Sequence, residues 1–131
     1  MNLDLIFKRL ILIDVAIISL FIALAVFIPE SDVVSDFNLN LPEQHNFYYI
    51  LIFVWLIIFY ISIYLLYNFK PLGKQLYLAN FIFVILLDLF GGPIALDEWV
   101  YVIDILTSAL SGAILVLLYF SPLKKKFIKQ K

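Results

Sequence analysis

Residues 48–69 read YYILIFVWLIIFYISIYLLYNF, 22 residues in a row without a formal charge. Crossing the hydrocarbon of a bilayer takes about 20 residues of α-helix, or about 10 residues of a tilted strand in a closed barrel. Nothing else spans lipid, because every backbone N–H and C=O must find its partner inside the protein. A barrel strand alternates apolar and polar residues. This run is continuously apolar and rich in Leu, Ile and Phe, so it predicts a transmembrane helix. Lys70 and Pro71 close it.

Three further stretches of the same kind flank it. Residues 10–28 are closed by Pro29 and Glu30. Residues 99–120 are closed by Ser121, Pro122 and the lysines Lys124, Lys125 and Lys126. Between them, Leu76–Phe90 is short for a crossing. It reaches the required length if its helix begins near Leu72 and Lys74 snorkels to the interface, so this span is taken as 73–91. Of the 131 residues 65% are hydrophobic and 15% charged, against about half and a quarter in soluble domains. A chain this short cannot hide that excess within itself. The expected fold class is an all-α integral membrane protein: one membrane domain, 1–131, built as an up-down bundle of four transmembrane helices.

The charges set an orientation. All nine Lys and Arg fall in three places: Lys8 and Arg9; Lys70 and Lys74; and Lys124, Lys125, Lys126, Lys129 and Lys131. The connection 29–47 holds Glu30, Asp32, Asp36 and Glu43, and the third connection holds Asp97 and Glu98, with no basic residue in either. By the positive-inside rule both termini and the second connection are cytoplasmic. This pattern in a cysteine-free chain fits the inner membrane of a bacterium. Tyr48, Tyr49, Trp99 and Tyr101 then fall at the outer interface, and Tyr67, Tyr77 and Tyr119 at the inner one. The first apolar run is 19 residues, longer than the roughly 7–15 of a signal peptide, and no small-x-small cleavage site follows; it reads as a retained helix. In the outer loop 29–47, Val33, Val34, Phe37, Leu39 and Leu41 are placed to form a short helix on the outer surface.

Several function classes drop out. The net charge of -1 gives no footprint for nucleic acid, and the absence of cysteine removes thiolate chemistry and cysteine-ligated metals. With a lone histidine, His45, no zinc or haem site is expected, and no cofactor is implied. The partners to expect are the lipid bilayer itself and a second copy or another membrane protein. The basic tail 121–131 reads as a stop-transfer signal that also attracts anionic lipid, by about 1 kcal/mol per basic residue.

Ionisable groups inside a span are costly and usually face the bundle interior. Asp14 lies near the inner end of span one, at the level of Tyr64 and Tyr67 on span two and Asn80 on span three, with Arg9, Lys70 or Lys74 within snorkelling reach. It reads first as a polar clasp between helices and second as a proton or cation site. Asp88 and Asp104 lie near the outer ends of spans three and four. Two adjacent carboxylates in low dielectric can share a proton and serve as acid and base. Their placement is similar to that in intramembrane aspartyl signal peptidases. The Gly-, Asn- and Arg-containing sequence of those enzymes is absent, however: residues 87–92 read LDLFGG. A catalytic role for Asp88 and Asp104 therefore enters on geometry alone.

Span four carries the most polar face. Asp104, Thr107, Ser108, Ser111 and Gly112 recur at helical spacing, and Ser108 with Gly112 forms a small-xxx-small pair that admits another backbone. The stripe reads first as the internal seam of the bundle and next as a docking face. A weaker small-residue stripe, Ala16, Ser19 and Ala23, runs along span one, and Tyr60, Tyr64 and Tyr67 on span two are expected to pack in the bundle. Gly91-Gly92-Pro93 reads as a turn. The function expected first is an accessory or interaction subunit of a membrane assembly. A small channel or transporter using the intramembrane Asp, Ser and Thr residues comes second, and an intramembrane aspartyl hydrolase third.

Overall fold

The computed structural model describes residues 2–41, 46–90 and 94–128. Every regular element among them is helical. Four helices are long and apolar enough to cross a membrane: α1 (Leu3–Phe27), α3 (Asn46–Tyr67), α4 (Pro71–Phe90) and α5 (Glu98–Phe120). A short helix, α2 (Asp32–Leu39), precedes α3, and a 3-10 helix, Pro122–Phe127, follows α5. Each long helix packs against the next, and α5 closes back on α1. The packing is closest within two pairs, α3 with α4 and α1 with α5, so the bundle is two tight pairs laid together.

Local chemistry fixes the helix ends. Asn2 caps α1 by accepting a hydrogen bond from the Asp4 amide (3.2 Å). α1 thus starts seven residues before the apolar run, with Lys8 and Arg9 inside the helix rather than ahead of it. Its extra turns are held because Phe7 is buried in the core. Between α3 and α4 the chain reverses through a Schellman motif: the Lys70 amide donates to the Leu65 carbonyl (2.8 Å) and the Phe69 amide to the Leu66 carbonyl (2.9 Å). Phe69 occupies the left-handed position of that motif, at φ 52°, where glycine is usual. Pro71 then opens α4 at the position where its missing N–H costs nothing.

The α3–α4 pair is tight because Gly73 allows it. A β-carbon on Gly73 would fall 2.8 Å or less from the Leu65 backbone carbon and the Leu66 nitrogen. The backbones touch there, and no other residue fits without moving one of them.

The core is concentrated at the basic end. Phe7, Leu66, Leu118, Leu123 and Phe127 are buried together, with Ile11 and Ile114 above them. The rings of Phe7, Phe69 and Phe127 meet with centroids 5.5–5.9 Å apart. The basic segment after α5 is therefore no free tail. Pro122 stops α5, Ser121 accepts from the Leu123 amide (3.1 Å), and the 3-10 helix turns under the bundle. Leu123 and Phe127 enter the core, four residues apart with three exposed lysines between them. Lys126 pairs with Asp4, the only ion pair among the described residues. Lys129 and Lys131 lie outside the described residues.

At the acidic end the connections are latched. The Asn38 side chain donates to the Ala95 carbonyl (3.2 Å) and accepts from its amide (2.9 Å). Asp97 Oδ2 accepts from the Ser31 amide (3.2 Å). These bonds dock α2, which buries no residue of its own, onto the segment before α5. The turn at Gly91-Gly92-Pro93, and His45 and Glu43, lie outside the described residues.

Candidate functional site

On α1 the buried positions are Phe7, Ile11, Asp14 and Ile18, a spacing of four, three and four that traces one helix face. The third place on this face holds an acid. Asp14 is completely buried. On α4 the buried face runs Gly73, Tyr77, Asn80, so the close approach that Gly73 permits leads directly to Tyr77 one turn on. Tyr77 Oη lies within hydrogen-bond distance of two groups, Asp14 Oδ2 at 2.9 Å and Ser111 Oγ on α5 at 3.2 Å. Asp14 Oδ1 is shut away from solvent and has no hydrogen-bond partner among the described residues. One phenol thus joins α1, α4 and α5 inside the bundle.

The partners of Asp14 differ from the sequence expectation. Tyr64 is 70% exposed and points away. Asn80 engages Trp55 on α3 instead: with its amide oriented to suit both groups, its oxygen accepts from Trp55 Nε1 (3.1 Å) and its nitrogen donates to the Trp55 carbonyl (3.2 Å). Asn80 is buried, and among the described residues these two bonds hold it to the neighbouring helix rather than to Asp14. Among the described residues no cation snorkels to Asp14 either. The Lys8 ammonium stands 4.4 Å over the Tyr67 ring, Lys74 stands 3.9 Å over the Tyr119 ring, and Arg9 and Lys70 are exposed. Cation–π contacts at the bundle edge suit these flexible ammonium groups better than a dry interior. Tyr67 and Tyr119 keep places near the basic end, whereas Tyr77, expected beside them in the interfacial belt, is a core residue.

The polar face of α5 divides in two. Ser111 turns inward to Tyr77. Thr107 bonds back to the Ile103 and Asp104 carbonyls of its own helix (3.1 and 2.9 Å). Asp104 and Ser108 are exposed, and a β-carbon on Gly112 would meet nothing within 4 Å. Asp104, Ser108 and Gly112 thus form a strip on the outside of the bundle. On α1, Ser19 shares a 2.8 Å hydrogen bond with Tyr60 of α3, and Ala16 and Ala23 are exposed. Of the tyrosine stripe on α3, only Tyr60 bonds within the bundle.

Asp88 and Asp104 lie at the acidic ends of α4 and α5, within coulombic reach of one another. Both are exposed, and no hydrogen bond joins them among the described residues. A separate cavity of about 190 Å3 opens between α1, α2 and α5, lined by Phe21, Val34, Trp99 and Val100 together with Glu30 and Asp97.

This chain matches no family model, no curated protein and no solved structure. Its function is therefore argued from its own geometry. Sequence reasoning placed Tyr77 in the interfacial belt and passed over Gly73 and Trp55. The available signal was the run Gly73, Tyr77, Asn80, three small or polar residues at helical spacing in an otherwise apolar helix.

Proposed function

We propose that this protein is a multi-pass protein of a bacterial inner membrane, with both termini cytoplasmic, that serves as an accessory or interaction subunit by receiving a helix of another membrane protein along α5. The observation that carries the reading is the open space at Gly112. In lipid there is no hydrophobic force between helices, so association depends on close backbone approach and on polar contacts. Gly112 and Ser108 offer the first: Ser108 is exposed, Gly112 is half-buried, and among the described residues nothing comes within 4 Å of a β-carbon at Gly112. Asp104, one turn before Ser108 on the same exposed strip, offers the second to a hydroxyl or amine donor on the incoming helix. The extramembrane segments are short, which leaves the helix faces as the recognition surface.

The experiment uses the absence of native cysteine. Ser108→Cys and, as a control on another face, Ile57→Cys are cross-linked in native membranes. The reading expects a specific adduct from position 108 and none from 57. It also expects a stoichiometric partner that co-purifies with the wild type and with Gly112→Ala but not with Gly112→Leu. An adduct between two copies of the chain would replace the hetero-partner by a homo-oligomer. Equal labelling from 57 and 108, or a partner retained by Gly112→Leu, would end it.

A further inference from the structure

The hydrogens along Asp14–Tyr77–Ser111 can run in two directions. Tyr77 Oη lies within hydrogen-bond distance of both Asp14 Oδ2 and Ser111 Oγ, and a phenol has one hydrogen, so it donates to one neighbour and accepts from the other. In the first arrangement Ser111 donates to Tyr77 and Tyr77 donates to an ionised Asp14. In the second, Asp14 carries a proton and donates to Tyr77, which donates to Ser111.

The bare oxygen separates the two. Asp14 Oδ1 has no partner. In the first arrangement it carries part of a negative charge with neither donor nor cation to meet it, the costliest way to bury a carboxyl group. In the second it is a neutral carbonyl oxygen, and the hydrogens of Asp14 and Tyr77 each have an acceptor. Among the described residues, the groups on the surrounding elements offer no counter-charge. On α1, Lys8 is stacked on Tyr67 and Arg9 is exposed. On α3, buried Ser62 donates to the Phe59 carbonyl (2.7 Å), and Lys70 is exposed beyond the helix end. On α4, Lys74 is stacked on Tyr119 of α5. On the 3-10 helix, Lys126 is held by Asp4.

We infer that Asp14, Tyr77 and Ser111 form an internal proton-binding site, in which Asp14 carries one exchangeable proton and its release to water reverses the donor direction of the whole chain. The ligand is the proton itself. On release the Asp14 O–H bond breaks, its electron pair stays on the carboxylate, and Tyr77 turns its hydrogen from Ser111 to Asp14. Tyr77 ties α4 to both members of the α1–α5 pair, so the bond that changes direction is one that joins the two halves of the bundle. This inference needs only the fold and stands apart from the docking reading of α5.

The test is infrared spectroscopy of the full chain in liposomes at neutral pH, following the C=O stretch of a protonated carboxyl group. One such band is expected. It should shift on exchange into deuterated water, fade as the pH is raised and return when it is lowered. Asp14→Asn should remove it and Asp88→Asn should leave it. Tyr77→Phe, which retains the ring, should move the band to higher frequency because the acid loses its acceptor. This second variant decides the matter if Asp14→Asn does not fold. A wild-type spectrum without the band, a band indifferent to Asp14→Asn in a folded variant, or a band unmoved by Tyr77→Phe would overturn the proposal.

Discussion

Gly73 and Leu65 stand so close that a β-carbon on the glycine would lie 2.7 Å from that of Leu65. Two of the three atoms in the way are backbone, so no rotamer change relieves the clash, and Gly73→Ala must push α3 and α4 apart. Overpacking of this kind costs about 1–3 kcal/mol. The variant is expected to melt at a lower temperature than the wild type in mild detergent. The same change at Gly112, where the space is open, should leave the monomer at least as stable, with a gain of up to about 1 kcal/mol from helix propensity. Equal melting of the two variants would show that the α3–α4 contact is not close.

Phe69 should reverse the usual order of small-residue substitutions. Its left-handed backbone costs a residue with a side chain about 1–2 kcal/mol, and packing of its ring against Phe7 and Phe127 offsets that. Phe69→Ala loses the ring and keeps the backbone cost. Phe69→Gly loses the ring and removes the backbone cost. Glycine is therefore expected to be the more stable replacement by about 1 kcal/mol, read from thermal unfolding of the two variants.

Phe127 anchors the segment beneath the bundle. Phe127→Ala should cost about 3 kcal/mol, the lower end for a buried phenylalanine. Amides 123–128 should then exchange with solvent as fast as an unfolded peptide. Protection that survives in Phe127→Ala would mean that this ring does not hold the segment.

The Asn38 latch acts locally. Asn38→Ala removes two hydrogen bonds to Ala95, each worth about 1 kcal/mol net. Because α2 buries no side chain, its amides should lose protection while the melting temperature of the four long helices stays nearly constant. A fall in that temperature comparable to the Gly73→Ala effect would show that α2 supports the bundle as a whole.

The Asp4–Lys126 pair contributes little. Lys126 is 48% and Asp4 35% exposed, and ion pairs this open to water are worth less than about 1 kcal/mol and are screened by salt. Asp4→Asn should change stability by less than Phe127→Ala does, and the difference from wild type should shrink in high salt.

The four long helices were legible because hydrophobicity and punctuation agree. Lys70-Pro71 and Ser121-Pro122 stand at real helix ends, and the apolar run between two proline–charge boundaries leaves helix as the lipid-compatible reading. Asp14 was legible for the same reason, since an acid stands out against Leu, Ile and Val. Its partner was not. A tyrosine near a span end is usually an interfacial residue, and only the backbone contact at Gly73 draws Tyr77 inward. The buried 3-10 helix was hidden because Leu123 and Phe127 flank a run of three lysines, and a charge run at a helix end masks two apolar anchors. The outward face of Gly112 was beyond sequence reasoning too, since a small-residue pair looks alike whether it meets a helix of its own chain or of another.

The pairing of α1 with α5 sets an order of assembly. α1 is the first of the four long helices to be synthesised and α5 the last, with residues 28–97 between them. At roughly 5–20 residues per second, α1 waits several seconds for its closest partner, while the α3–α4 hairpin, joined by three residues, closes almost as it is made. Through that interval α1, which carries Asp14, lacks the α5 face that packs on it in the finished bundle. The nascent protein therefore holds a half-covered acid on its first helix, and a chaperone or insertase that shields α1 would be needed most before α4 brings Tyr77.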